Sequence, residues 1–118
     1  MFAILASVQD GALTLLTSEA LEFEISRIPD EQRRREALAI LTLASERLTL
    51  SEESEQLAES FAQVGLTAMD ALHVALAATA RANYFVTADD KLLRRAKSLP
   101  SLTVTPVSIF GLITEISQ

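Results

Sequence analysis

The stretch GLTAMDALHVALAATARANYFVTADDKLLRRAK, residues 65–97, decides how the rest of the chain is read. Residues 67–82 form a helical run too apolar for a surface position, set off by the breaker Gly65. Residues 84–87, Tyr-Phe-Val-Thr, then read as a short buried strand. Asp89 and Asp90 follow at once, opening a basic amphipathic helix over 89–99. Two carboxylates at such a handover have two physical explanations. Aspartate caps a helix start, because its oxygen satisfies orphan N–H groups and its charge complements the dipole. A carboxylate pair also suits a hard divalent cation.

Working outward, the same alternation continues in both directions. The apolar start (Phe2, Ile4, Leu5, Val8) reads as the end of a helix closed by Asp10-Gly11. Residues 12–17 read as a strand, 18–28 as a helix with Ser18 as N-cap, and 31–44 as a helix restarted by Pro29-Asp30. A second strand is expected at 47–50, and a helix with a capping signature over 51–65, ending at Gly65. Beyond the central stretch come a strand at 102–107 and a short helix over 108–117. Strands alternating with helices predict one α/β domain, residues 1–118, built as a three-layer α/β/α sandwich around a mostly parallel central sheet. Ligands of such folds bind beyond the carboxyl ends of the strands, which is where Asp89 and Asp90 fall.

Composition narrows the chemistry. A chain of 118 residues that is 49% apolar builds a real core, which excludes disorder. The net charge of −6 argues against a large basic nucleic-acid footprint and leaves room only for a local patch. That charge is uneven: residues 1–59 carry net −7 and residues 60–118 net +1. With no cysteine, disulfides and thiolate sites are impossible, and a reducing cytoplasm is the expected home. With one histidine, a metal site must be built from carboxylates, which selects Mg²⁺ or Mn²⁺ over zinc. The apolar start is too short to span a bilayer, so no membrane association is expected. Three glycines and no glycine-rich loop leave a phosphate-loop protein without support.

Carboxylates come from three places: Glu19, Glu22 and Glu24 after the first strand, Asp70 early in the apolar helix, and Asp89-Asp90. Each also has an ordinary role. Asp70 follows Thr67 in a T-x-x-D spacing close to a capping box. Glu19 and Glu22 suit a solvated helix face, with Glu22 free to pair with an arginine. His73, one turn beyond Asp70, reads as a hydrogen-bonded packing residue ahead of a phosphate contact. The arginine run 33–35 reads as a solvated face with a Glu31–Arg35 pair. Lys91, Arg94, Arg95 and Lys97 form a basic face directly after the acidic pair and could equally join i,i+4 pairs such as Asp90–Arg94.

Taken together, M-D-A-L-H-x-A-x-A followed by Y-F-V-T-x-D-D-x-L-L-R-R-A resembles the C-terminal half of a PIN domain. LLTSEALEFEISRIPD is similar to the PIN segment in which a strand ends at serine and a helix bears a glutamate. The resemblance implies a metal-dependent ribonuclease of the kind that includes VapC-like toxins of toxin–antitoxin pairs. It implies that Asp70, Asp89 and Glu24 bind Mg²⁺ or Mn²⁺, with Glu22 as the fallback glutamate. Asp90 would stand behind them or cap the helix, and Thr87 would orient Asp89 or a metal-bound water. Lys91, Arg94, Arg95 and Lys97 would hold RNA phosphates.

The family pattern opens with a strand bearing a first aspartate, as D-T/S-N-x-L, before a helix. MFAILASV resembles the tail of that helix, so the resemblance implies an N-terminally truncated PIN domain lacking the first strand and its aspartate. The gap is then expected to be closed by direct pairing of strands 12–17 and 84–87, by another chain, or by upstream residues. Two functions follow as expectations. One is an endoribonuclease for single-stranded RNA, weakened or inactive through the lost acid. The other is a non-catalytic PIN-fold module that forms a homodimer or binds an antitoxin, using the apolar Phe2–Val8 face.

Overall fold

The computed structural model describes residues 2–117; Met1 and the side chain of Phe2, at the head of the expected first helix, lie outside the described residues. The chain divides into two compact units, one ending at Thr49 and the other starting at Leu50.

The first unit begins with α1 (Phe2–Gln9). Gly11 ends it at φ +83, with Gly11 N–H donating to the Val8 carbonyl and Ala12 N–H to that of Ser7. This is a Schellman closure, which needs a residue without Cβ strain at positive φ. β1 (Leu16–Ser18) runs directly into α2 (Glu19–Ser26), and Ser18 serves both elements. Its hydroxyl caps the helix, accepting the Leu21 N–H at 3.0 Å. Asp30 caps α3 (Glu31–Leu41) in the same way, through the Arg33 N–H at 3.1 Å. β2 (Glu46–Leu48) then pairs with β1 in parallel, Leu16 opposite Glu46 and Ser18 opposite Leu48. A parallel pair demands a long crossover, and α2 with α3 supplies it.

The second unit opens with α4 (Glu52–Gln63) under a reciprocal capping box. Ser54 N–H donates to Ser51 Oγ at 3.1 Å, while Ser51 N–H donates to the fully buried Ser54 Oγ at 2.9 Å. Serine stands where glutamate or glutamine is usual and does the same work. α4 ends in a second Schellman closure at Gly65, φ +116, and the accompanying apolar pair is Phe61 and Leu66, both buried. α5 (Ala68–Thr79) packs along α4 and buries Ala71, Val74, Ala75 and Leu76, as its apolar run requires. Phe61, Leu66, Val74 and the α6-side Leu92 and Leu99 belong to one core cluster.

β3 (Tyr84–Val86), α6 (Asp90–Lys97), β4 (Thr105–Val107) and α7 (Ile109–Ile116) complete this unit. β3 and β4 are parallel, Tyr84 opposite Thr105 and Val86 opposite Val107. The ladder is extended by Thr105 N–H to the Asn83 carbonyl (3.0 Å) and Thr87 N–H to the Val107 carbonyl (3.1 Å). Residues 105 and 107 therefore turn their backbone groups towards β3. Pro106 between them faces the outer edge, where its missing N–H costs nothing to the ladder.

The fold is thus mixed α/β with short parallel strands, the class the sequence predicts. Each strand finds its partner inside its own unit, so the strands form two two-stranded sheets: β1 with β2, and β3 with β4. The strands are also shorter than expected. Leu15 still accepts the Ser45 N–H at 3.0 Å, while residues 12–14 and 102–104 lie outside the paired registers. No described helix is long and apolar enough to cross a membrane.

Candidate metal centre and nucleic-acid face

Local chemistry places Asp89 first. β3 ends at Val86, and Thr87 turns its hydroxyl back to accept the Asp89 N–H at 3.1 Å. Asp89 then caps α6, its Oδ1 accepting the N–H groups of Lys91 (2.9 Å) and Leu92 (3.1 Å). Both bonds use the same oxygen, and the residue is exposed. Asp89 is therefore the cap, as its helix-start reading allows, and Asp90 is the first helical residue, where its charge complements the helix dipole.

Asp70 lies in the first turn of α5 and is half-buried. Its N–H donates to Thr67 Oγ1 at 3.2 Å, so the T-x-x-D spacing does form the N-cap bond. Only a short connection separates α5 from β3, against which it packs, so helix and strand run antiparallel. The start of α5 consequently lies at the carboxyl end of β3. Asp70 and Asp89 thus belong to the same edge of the β3–β4 sheet, although they lie nineteen positions apart. His73, one turn further along α5, is half-buried and engaged in an interaction.

The glutamates belong to the first unit. Glu24 is exposed in the second turn of α2 and is engaged in an interaction; so is Glu19, which is half-buried at the start of that helix. Glu22 has found the arginine its helix-face reading called for. Arg47 of β2 donates from Nε to Oε1 (2.9 Å) and Oε2 (3.1 Å) of Glu22. With Arg47 about half exposed, this pair contributes at most about 1 kcal/mol. Glu31 and Arg35 also pair as expected, at 2.6 Å.

On α6, Leu92 and Ala96 are buried while Lys91, Arg94, Arg95 and Lys97 are exposed. The basic residues thus share the helix's solvent side, three of them in the last turn where they complement the dipole. One is already committed: Arg95 Nη1 donates to the Gly65 carbonyl at 2.9 Å. That contact spans thirty residues and no local periodicity announces it.

A groove of about 1150 Å³ also opens in this unit, lined by Leu57, Phe61, Val64, Asn83, Tyr84 and Leu102 among others. It sits where β3 and β4 begin, the edge opposite Asp89. Glu53 is the one carboxylate in its lining, so it offers no acidic pair.

The donor set suits a hard divalent ion in kind, being carboxylate throughout with no thiolate. In number it is sparse. Among the described residues, no group of three or more His, Cys, Asp or Glu could hold a metal ion. What the second unit offers is two carboxylates on one edge, and Mg²⁺ is commonly held by one or two carboxylates with waters completing its shell.

Parallel strands, helical crossovers and aspartates beyond a strand's carboxyl end define an α/β domain with an acidic edge. The chain belongs to the PIN domain family, whose model matches residues 3–98. That family generally includes metal-dependent nucleases, and its domains act on nucleic acids. No curated protein and no solved structure matches the chain significantly.

Proposed function

We propose that this chain is a Mg²⁺- or Mn²⁺-dependent endoribonuclease of the VapC type, acting on single-stranded RNA. What supports the reading is a PIN-family chain in which Asp70 stands in the first turn of α5 and Asp89 caps α6 directly after β3. Asp70 and Asp89 would hold the ion, with waters completing its shell. Thr87 fixes the backbone at Asp89 and so the direction of its side chain. A bound ion of this kind supplies a water of lowered pKa and stabilises charge developing on phosphorus. Lys91, Arg94 and Lys97, on the exposed side of α6, neutralise RNA phosphates and hold the strand next to Asp89.

The test is cleavage of a mixed single-stranded RNA pool with Mn²⁺. Wild type should cut, and cutting should fall as salt rises. Asp89→Asn separates the two duties of this residue, because asparagine caps a helix as well as aspartate but is a poor ligand for a hard cation. Loss of cleavage in a folded Asp89→Asn protein supports the reading. Activity equal to wild type in both Asp89→Asn and Asp70→Asn removes it.

A second reading is a non-catalytic PIN-fold module that forms a homodimer or binds an antitoxin. It is favoured by the lack of a three-carboxylate group among the described residues and by Phe110, which is 79% exposed on α7. Light scattering that gives a monomer alone, together with RNA cleavage, would exclude it.

A further inference from the structure

We infer that Arg95 is a positioning residue that holds the start of α5, and with it Asp70, in place against the helix that Asp89 caps. The inference rests on the metal-site reading above for its consequence, but the tether itself is a matter of geometry. Gly65 is the turn residue of the Schellman closure of α4, held at φ +116 by bonds from Gly65 N–H to the Ala62 carbonyl and Leu66 N–H to the Phe61 carbonyl. Those bonds use the N–H of Gly65 and leave its carbonyl for another donor. Arg95 Nη1 takes it at 2.9 Å.

Both ends of this bond lead straight to the candidate ligands. Two residues after Gly65 comes Thr67, the N-cap of α5, whose hydroxyl accepts the Asp70 N–H and whose carbonyl accepts the Ala71 N–H at 2.8 Å. Six residues before Arg95 comes Asp89, the N-cap of α6, bonded to Lys91 and Leu92. A single charge-assisted bond therefore joins the turn that launches α5 to the body of α6. Such bonds are shorter and stronger than neutral ones, and a planar guanidinium gives them direction. Leu66 of the turn and Leu92 of α6 are buried in the same core cluster, and the exposed Arg95 adds a polar bond between the same two elements. Arg95 is exposed, so removing it opens no cavity.

Two roles for Arg95 are thereby set apart. A phosphate contact changes how RNA binding responds to salt. A tether changes the order of the first turn of α5 and the affinity for the ion. The experiment compares Arg95→Ala with Arg94→Ala, its exposed neighbour, by three readouts: backbone amide exchange, Mn²⁺ titration, and RNA binding against salt.

For Arg95→Ala, amides 66–71 should exchange roughly three- to tenfold faster, the range expected for one lost hydrogen bond, with the core amides of 74–76 unchanged. Mn²⁺ affinity should fall several-fold, by up to about tenfold, as for loss of a group that orients a metal ligand. The salt slope should stay as in wild type. Arg94→Ala should lower the slope by about 0.7, one phosphate's worth on a single strand, and leave exchange and Mn²⁺ affinity alone. The inference is overturned if Arg95→Ala lowers the salt slope while exchange over 66–71 stays as in wild type. Should wild type bind no Mn²⁺, the metal reading falls by itself. Exchange over 66–71 then decides the tether alone, faster in its favour and unchanged against it.

Discussion

The two units are built from the same parts and packed very differently. Each has a parallel two-stranded sheet, helices capped by Ser, Thr or Asp, and a Schellman glycine ending a helix. In the second unit, Phe61, Leu66, Val74, Leu92 and Leu99 form one core cluster. In the first, α3 buries no residue fully, Leu38 is 43% exposed, and the buried set along β1 and α2 is Thr17, Ser18, Ala20 and Ile25. Capping and turn chemistry start elements equally well in both, but the apolar content buried behind them differs. Asp70 and Asp89 stand on the unit that holds the core cluster.

That contrast can be broken or sharpened by substitution. The largest effect is expected in the core of the second unit, where Phe61→Ala should cost about 3–5 kcal/mol in chemical denaturation, as a buried aromatic leaves a cavity. Leu38→Ala on α3 should cost well under half of that, and equal losses would mean that the packing difference is illusory. Next in size is Asp89→Asn. It should reduce Mn²⁺-dependent cleavage by about 100-fold or more, since even groups that merely support a ligand cost 10–100-fold when lost. Its stability should change by only a few tenths of a kcal/mol, because asparagine still caps α6. Asp89→Ala should add about 1 kcal/mol of lost stability to the same defect.

Thr17 offers a change of opposite sign. Its hydroxyl is buried and has no hydrogen-bond partner among the described residues. Thr17→Val keeps the shape and removes the unsatisfied group, so thermal unfolding should show a gain of up to about 1 kcal/mol. A clear loss would mean that the hydroxyl has a partner of its own. The smallest effect belongs to Arg47→Ala, which removes the exposed pair with Glu22. Its cost should stay below about 1 kcal/mol and shrink in high salt.

Much of this architecture is legible in the sequence. The apolar run 67–82, the glycines at 11 and 65 and the cap residues Ser18, Ser51 and Thr67 each act through near neighbours, and each was legible as such. Strand bounds are less legible, because an apolar run such as 12–17 does not say where a partner pairs with it: β1 begins only at Leu16 and extends to Ser18. Pairings across long stretches stayed hidden. Glu22–Arg47 and Arg95–Gly65 span twenty-five and thirty residues, and they depend on how elements meet, which periodicity does not encode. The double aspartate was half read: its place at a strand end was evident, but which of the two caps α6 depends on a backbone turn set by Thr87.

The central claim is that Asp70 and Asp89 serve one cation. Paramagnetic broadening of amide signals during a Mn²⁺ titration addresses it most directly. The account predicts that residues 68–71 and 87–91 broaden together at the same low Mn²⁺ concentration, and that either Asp70→Asn or Asp89→Asn abolishes both effects. Broadening at one segment alone, or scattered along the acidic helices without preference for either, would contradict it.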